Sequence, residues 1–303
     1  MLPQTAVGRY NEIAMSVENT FKRVAVIAHP DVAQASEEAK KVCAFLEEHG
    51  VEAVHAFLHD EELREQIKSG SIDLAITLGG DGTVLRAGHL CAPYDVPILA
   101  INYGRFGFLI EVGRDQWPET LPKLFNGNFW YEQRMMLRTE QWRRDSKLGE
   151  WDVLNEVFVG RGELVRPVHL VTSLDGDYLT TYVADGLIVS SATGSTAYAL
   201  AAGGPILPPE LRNLLLIAVA PHLSIDRAIV VAEGATINIV VRTGHDAVLN
   251  VDGRPSVILE DGDSVTVRAS DYNVRLLRFQ DPAYFYRQLF RFMDQNPSAG
   301  IAQ

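Results

Sequence analysis

Positive charge is scarce in this sequence. Its 27 lysines and arginines stand against 39 aspartates and glutamates, a formal net charge of −12. That balance argues against nucleic acid as a partner, which is held by clustered cations, and against docking on an anionic membrane. Cysteine is almost absent: Cys43 and Cys91 lie far apart in apolar segments, which reads as two small core residues in a reducing compartment and not as a disulfide. No apolar run approaches the roughly 18 residues of a spanning helix, and the N-terminus lacks a signal-peptide core. A cytoplasmic protein without a membrane partner is the expectation. Familiar motifs are missing too. There is no Gly-x-x-x-x-Gly-Lys-Ser/Thr loop, no Gly-x-Gly-x-x-Gly fingerprint, no His-Glu-x-x-His and no Cys-x-x-Cys. His222, Ser224 and Asp226 are close in sequence, but nothing resembling a nucleophile elbow presents the serine.

Hydrophobic residues make up 47% of the 303 positions, enough for one large or two medium domains with buried cores. Residues 1–20 show no clear period and read as a mobile arm or a peripheral helix. From there apolar runs and helical spacing alternate: strands at 24–28, 51–57, 74–78 and 97–101, helices at 32–49, 60–69 and 83–90. Gly50 stops the first helix. That alternation predicts an α/β domain with a parallel, doubly wound sheet. After about 138 the runs become short and β-branched (152–159, 168–174, 187–190, 214–219, 229–232, 237–241, 265–267) with Asp-Gly-Asp and Glu-Gly turns between them, which predicts a mostly-β second domain. Helical spacing returns at 283–294, with Phe285, Leu289 and Phe292 on one face. The expected division is 1–137 plus a returning segment 278–303, and 138–277. The join is not Pro- or Ser-rich, so the domains should pack closely.

Gly79-Gly80-Asp81-Gly82-Thr83 sits where an open α/β sheet binds ligands, at the C-terminal end of a parallel strand and the start of a helix. Glycines allow the backbone to approach a phosphate, and helix-start N–H groups favour an anion. An aspartate there repels phosphate, so it makes sense only against a hydroxyl nucleophile or a bridging Mg²⁺. In phosphoryl transfer a carboxylate orients the attacking hydroxyl and takes its proton, the role that suits Asp81. Arg86, one helical turn on, could offset phosphate charge or be a solvated helix residue. The motif resembles the superfamily that joins NAD kinases, diacylglycerol and sphingosine kinases and, more distantly, phosphofructokinases.

Further segments narrow the resemblance to bacterial NAD kinases. Asn102-Tyr-Gly-Arg-Phe-Gly-Phe-Leu109 is similar to their Asn-x-Gly-x-x-Gly-Phe-Leu loop, and Asn155-Glu156 to their Asn-Glu dipeptide. The stretch from Asp185 through Thr193-Gly-Ser-Thr196 to Tyr198, continuing to Ile206, nearly reproduces theirs, with Ser191-Ala192 where Thr-Pro is usual. Pro221-His-Leu-Ser224 resembles Pro-His-Ser-Leu with the last two exchanged, and Val251-Asp-Gly-Arg254 resembles Val-Asp-Gly-Gln with a cation in place of the amide.

The resemblance spans about 22–293. It implies phosphoryl transfer from ATP or a similar donor to the 2′-hydroxyl of the adenosine ribose of NAD, with Mg²⁺, in a homodimer or homotetramer. It also implies NAD between the domains and a last helix returning to the first. By matching positions the implied NAD contacts are Asp81, Gly82, Arg86, Phe108, Asn155, Glu156, Arg166, Asp185, Thr193, the run Thr196, Ala197, Tyr198, Ala199, Leu200 and Ala201, and Arg254. Gly79, Gly80, Gly82 and Thr83 form the phosphate-donor loop, and His222 is a contact across a subunit interface. Two alternatives stand beside this: a diacylglycerol-type lipid kinase, which should carry a membrane-docking element that is not evident, and a non-catalytic NAD(H) sensor, against which the retained Asp81 argues.

Overall fold

A computed structural model describes residues 21–104, 107–164, 166–222 and 227–294. The N-terminal arm, Arg105, Phe106, Leu223, Ser224 and Asp226 fall outside these, as does the side chain of Phe292.

The first domain is built on four parallel strands, β1 (Arg23–Ala28), β2 (Glu52–Ala56), β3 (Leu74–Gly79) and β4 (Ile98–Asn102), in the order β2-β1-β3-β4. Alternation within β1 decides which side each residue serves. Val24, Val26 and Ala28 face helix α1 (Ala33–Glu48), whose Ala35, Ala39, Val42 and Leu46 repeat at helical spacing. Ala25 and Ile27 face the opposite layer with α2 (Glu61–Lys68) and α3 (Asp81–Cys91). Both sheet faces are therefore covered, which is why these strands are near-continuous apolar runs. A short strand β5 (Val112–Gly113) and two single-turn helices, α4 (Trp117–Thr120) and α5 (Pro122–Phe125), complete this unit.

Two long strands lead into the second domain: β6 (Trp130–Arg143), followed by β7 (Ser146–Val153), and β17 (Ser264–Arg278) near the end. β6 and β17 pair antiparallel along their length, with an irregularity between Ala269 and Asn273. At Leu276, β17 joins β4 in parallel, while its first half pairs with β14 (Ile237–Arg242). One sheet thus runs from the first domain into the second, and positions 137/138 and 277/278 lie at or within its shared strands.

Facing that sheet is a six-stranded one, ordered β13 (Ile229–Ala232), β12 (Asn213–Val219), β11 (Gly186–Ser190), β8 (Glu156–Arg161), β15 (Ala247–Val251) and β16 (Val257–Leu259). Between them lies a core that includes Val157, Val159, Leu187, Val189, Leu214, Ile237, Ile239, Val265 and Val267, joined by side chains from β9 (Val168–Leu174) and β10 (Asp177–Ala184). The outer face of the six-stranded sheet is covered by Ala192, by Ala199 of the single-turn α6 (Tyr198–Ala201) and by Leu207. The α/β domain and mostly-β domain expected from the sequence are both present. The final helix α7 (Tyr284–Asp294) does return, packing Tyr284 and Phe285 on Phe108, with Trp130 alongside. One span needs correction. The expected strand 152–159 is broken, β7 ending at Val153 and β8 starting at Glu156, because the N–H groups at the break are bound by a distant carboxylate described below.

Candidate active site

Helix α3 starts at Asp81, one residue after β3, with Gly80 extended between them. Its first N–H groups have no intrahelical partner, as at any helix start, and Gly82 there is exposed to solvent. The Asp81 carboxylate turns toward residues 107–109: Oδ2 accepts the Phe108 N–H at 2.8 Å and Oδ1 the Leu109 N–H at 3.2 Å. This approach requires glycine at 107, since a Cβ there would lie 2.3 Å from the carboxyl. Burial pushes the Asp81 carboxyl above the usual aspartate range, although the two N–H donors and then Arg134 and Arg278 oppose that rise. Each carboxylate oxygen has capacity for a further hydrogen bond. The neighbouring loop is tied in where the Tyr103 N–H bonds to the Gly79 carbonyl at 2.8 Å.

The 107–109 segment continues into a buried ionic network. Arg278 donates to the Leu109 carbonyl at 2.9 Å and to Glu132 Oε2 at 2.8 Å. Glu132 also accepts from Arg134 at 3.1 Å and from the Tyr284 hydroxyl at 2.8 Å. Arg134 reaches on to Thr193 Oγ1 at 3.3 Å. Burial alone would raise the Glu132 pKa, but Arg134 and Arg278 win and hold it at about 2. Hydrogen bonds thus run without a gap from Asp81 in the first domain to the Thr193 turn of the second.

On the second-domain side the organising group is Asp252, whose φ of +48° lies in the left-handed region. Its carboxylate accepts the N–H groups of Leu154, Asn155 and Glu156 at 2.7, 2.8 and 3.1 Å, and meets Nε2 of His89 on α3 at 2.7 Å. The Asn155 carbonyl in turn accepts the Ser191 N–H at 2.9 Å and the Ser190 hydroxyl at 3.2 Å. Gly194 must be glycine here, because a Cβ would stand 2.2 Å from that same carbonyl. Glu156 is left with burial, first, and the Asp252 charge, second, raising its pKa to about 7, against one stabilising N–H from Tyr198. One of its buried oxygens has no hydrogen-bond partner. Tyr198 is exposed, its ring 5.7 Å from that of Phe158.

Asp81 is thus bonded directly to Phe108, Asn155 and Glu156 share the Asp252 carboxylate, and Asp81 is joined to Thr193 through Leu109, Arg278, Glu132 and Arg134. Thr196 bonds its hydroxyl to the Thr193 carbonyl, and Ala197 to Ala201 follow on through α6. Asp185 sits at the start of β11 paired with Arg161 at 3.2 Å. Arg166 and His222 are exposed, their N–H groups bonded to the carbonyls of Leu164 and Val183. Arg86 and Arg254 line a separate cleft of about 490 Å³ with Thr83 and His89. Sequence reasoning passed over His89, Glu132, Arg134, Asp252 as a cap, Arg278 and Tyr284. Only Asp252 carried a signal, inside the Val-Asp-Gly-Arg motif, whereas the others look like ordinary helix and strand residues.

Family models describe residues 59–129 as an ATP-NAD kinase N-terminal domain and residues 154–279 as an ATP-NAD kinase C-terminal domain. An NAD kinase of Chloroflexus aurantiacus is 39% identical over 270 residues, covering 89% of this chain and 97% of that protein. One from Dehalococcoides mccartyi is 34% identical over 272 residues, covering 89% and 95%. Among solved structures, an NAD kinase from Archaeoglobus fulgidus in complex with ATP superposes with a TM-score of 0.71 at 27% identity, covering 89% of this chain and 97% of that one. Yeast NADH kinase complexed with NADH shares the fold, with a TM-score of 0.81 at 22% identity over 94% and 91% of the two chains.

Proposed function

Because the chain belongs to the NAD kinase family, we propose that it transfers the γ-phosphoryl group of ATP to the 2′-hydroxyl of the adenosine ribose of NAD, giving NADP and ADP. The observation that carries the residue assignment is the unbroken set of hydrogen bonds from Asp81 to Thr193, which holds the phosphate-type turn and the Asn155–Glu156 corner in one frame.

In this reading Asp81 is the general base. The 2′-oxygen attacks the γ-phosphorus, the bond to the ADP oxygen breaks, and the hydroxyl proton passes to the Asp81 carboxylate. A carboxyl lifted by burial is a stronger base than a solvated one, and its N–H anchors fix its direction. In the donor loop Gly79 closes β3, Gly80 and Gly82 present backbone donors at the start of α3 to the transferring charge, and Thr83, whose N–H is bonded to the Gly80 carbonyl, offers its hydroxyl. Asn155 and Glu156, with Thr193, Thr196 and the run Ala197 to Ala201, hold the adenosine of NAD. Phe108 backs the reacting ribose, and Asp185 and Arg166 contact the far end of the dinucleotide. His222 serves a neighbouring subunit of a homodimer or homotetramer.

Among the described residues no group of three or more His, Cys, Asp or Glu side chains could hold a metal by itself. The donor set suits Mg²⁺ carried on the phosphates of ATP, which accepts one or two carboxylates and keeps its waters. When bound it would neutralise phosphate charge beside Asp81.

An endpoint assay tests the reading. NAD, ATP and Mg²⁺ are incubated with the protein, and NADP is read with an NADP-specific dehydrogenase. NADP formed by wild type and not by Asp81→Asn supports it. Binding of NAD with no product from any donor would make the chain a sensor and sink it.

A further inference from the structure

The backbone that anchors Asp81 is irregular, and something other than a strand ladder must hold it. Leu109 and Ile110 are buried, yet neither makes a backbone–backbone hydrogen bond among the described residues. Buried carbonyls need donors. Here the donors come from one distant stretch, the end of β17 and helix α7. Arg278, the last residue of β17, donates to the Leu109 carbonyl at 2.9 Å, and Gln288 of α7 donates its Nε2 to the Ile110 carbonyl at 2.8 Å. The N–H groups of Phe279 and Gln280 donate to the Glu111 carboxylate. The ring of Phe285 lies 6.1 Å from that of Phe108. Four consecutive residues, 108 to 111, are thus gripped by the segment 278–288. Both Arg278 and Gln288 are themselves buried.

We propose that Arg278 and Gln288 are positioning residues for phosphoryl transfer: by fixing the carbonyls of Leu109 and Ile110 they aim the Phe108 and Leu109 N–H groups, and through these the carboxylate of Asp81. This rests on the reading of Asp81 as the base. The path is one residue long. Leu109 gives its N–H to Asp81 Oδ1 and receives Arg278 on its carbonyl, so a shift of that residue turns the carboxylate. The close approach of Gly107 to the same carboxyl leaves it no slack. Arg278 is committed twice, through Nη1 to Leu109 and through Nε to Glu132. A guanidinium fork spans two such acceptors, whereas the ammonium of a lysine is a point donor. Gln288 carries no charge, so it separates positioning from what the ionic network contributes to stability. Neither residue is among those assigned to NAD or to the donor, so substrate affinity should not depend on them. Rate should, because a misplacement of about 1 Å at a reacting group can cost about 10²-fold.

The test is steady-state kinetics and pH–kcat profiles of wild type, Gln288→Met and Arg278→Lys, at a temperature where circular dichroism shows each fully folded. Gln288→Met should lower kcat about tenfold and Arg278→Lys about 10²-fold, with the KM for NAD and for ATP within about twofold. The acid limb of both variants should also move to higher pH, because looser N–H anchors favour the ionised carboxylate less. The charges that face Asp81 among the described residues are Arg134 of β6 and Arg278 of β17, with Glu132, Glu111 and the Tyr284 hydroxyl packed around Arg278. Both variants keep both cations, so a moved limb reports the anchors. A merely structural role would lower the Tm and leave the kcat of the folded enzyme and its acid limb in place, which overturns the proposal. A raised KM with kcat unmoved overturns it too. Wild-type kcat in Gln288→Met beside an inactive Asp81→Asn sinks the positioning role and leaves the base standing. Full turnover in Asp81→Asn removes the base and the proposal together. If Arg278→Lys does not fold, Gln288→Met decides alone.

Discussion

Two aspartates hold the two halves of the candidate site, and they are held differently. Asp252 is saturated: three backbone N–H groups and His89 surround its carboxylate, whose side chain is 1% exposed. Asp81 has two N–H donors and, among the described residues, no side-chain cation within bonding distance, and burial drives its pKa up. A carboxylate with every lone pair engaged can only support its neighbours. One with capacity left and a raised proton affinity can accept a proton. On the proposed reading the first domain carries the reactive aspartate and the second the architectural one, and the Glu132–Arg134–Arg278 network joins the two halves.

The sharpest way to break that contrast is to neutralise each aspartate. Asp81→Asn should lower kcat by about 10²-fold or more, the usual worth of a positioned general base, with NAD affinity by calorimetry within a few-fold. Near-normal turnover in Asp81→Asn would reduce it to a loop anchor like its counterpart. With wild type, the acid limb of the pH–kcat profile should lie above the ordinary aspartate range, since the base must be ionised and burial opposes ionisation.

Next in size is the link between the halves. Glu132→Ala leaves Arg134 and Arg278 buried without their counter-ion, an expected loss of about 3–5 kcal/mol in urea unfolding. The sign with pH follows from a pKa lowered from 4.5 to about 2. The stabilisation is full above the unfolded value and disappears as pH falls through the folded one, so the variant should show a flatter stability profile between these limits. An unchanged urea midpoint would remove the network from the account.

Glu156 runs the other way. Its carboxyl ionises near 4.5 when unfolded and near 7 in the ligand-free fold, so the fold loses stability as pH rises through that window. Glu156→Gln should raise the Tm of the ligand-free protein at pH 8 and leave it little changed at pH 5. Ribose hydroxyls donate to the ionised form, so NAD should bind wild type more tightly above pH 7 than below 6, and the variant should be flat. A variant that still shows the wild-type pH dependence would assign that titration elsewhere. The smallest effect belongs to His89→Ala. It should raise the KM for NAD about two- to fivefold by loosening the Asn155–Glu156 corner, and leave kcat nearly unchanged. A drop in kcat instead would place His89 on the donor side.

Much of the first domain was legible because its signals are local. The helix expected at 32–49 is α1, Ala33–Glu48, and the one expected at 83–90 is α3, Asp81–Cys91. Apolar spacing and a glycine turn need no knowledge of distant partners. The second domain was less complete. β6 escaped notice, since Glu132, Arg134, Arg138 and Glu140 give it the look of a polar connector, and so did β10, β15 and β16. In β6 Glu132 and Arg134 are buried together with Arg278 of β17, while Arg138 and Glu140 pair with charges on β7, which no period reveals.

The sequence by itself determined the α/β-then-β order, the placement of Gly79-Gly80-Asp81 between a buried strand and a helix, and the family resemblance, because each is written in residues near one another along the chain. Tertiary structure alone decided that His89 would meet Asp252 across 163 positions, that Arg278 would join Leu109 to Glu132, and that Arg64, Arg86 and Arg254 would share a cleft. The reason is physical. Such contacts depend on strand register and on how helices pack over the sheet, and a charged side chain far from its partner in sequence carries no mark of which opposite charge, or which ligand, the folded chain will set beside it.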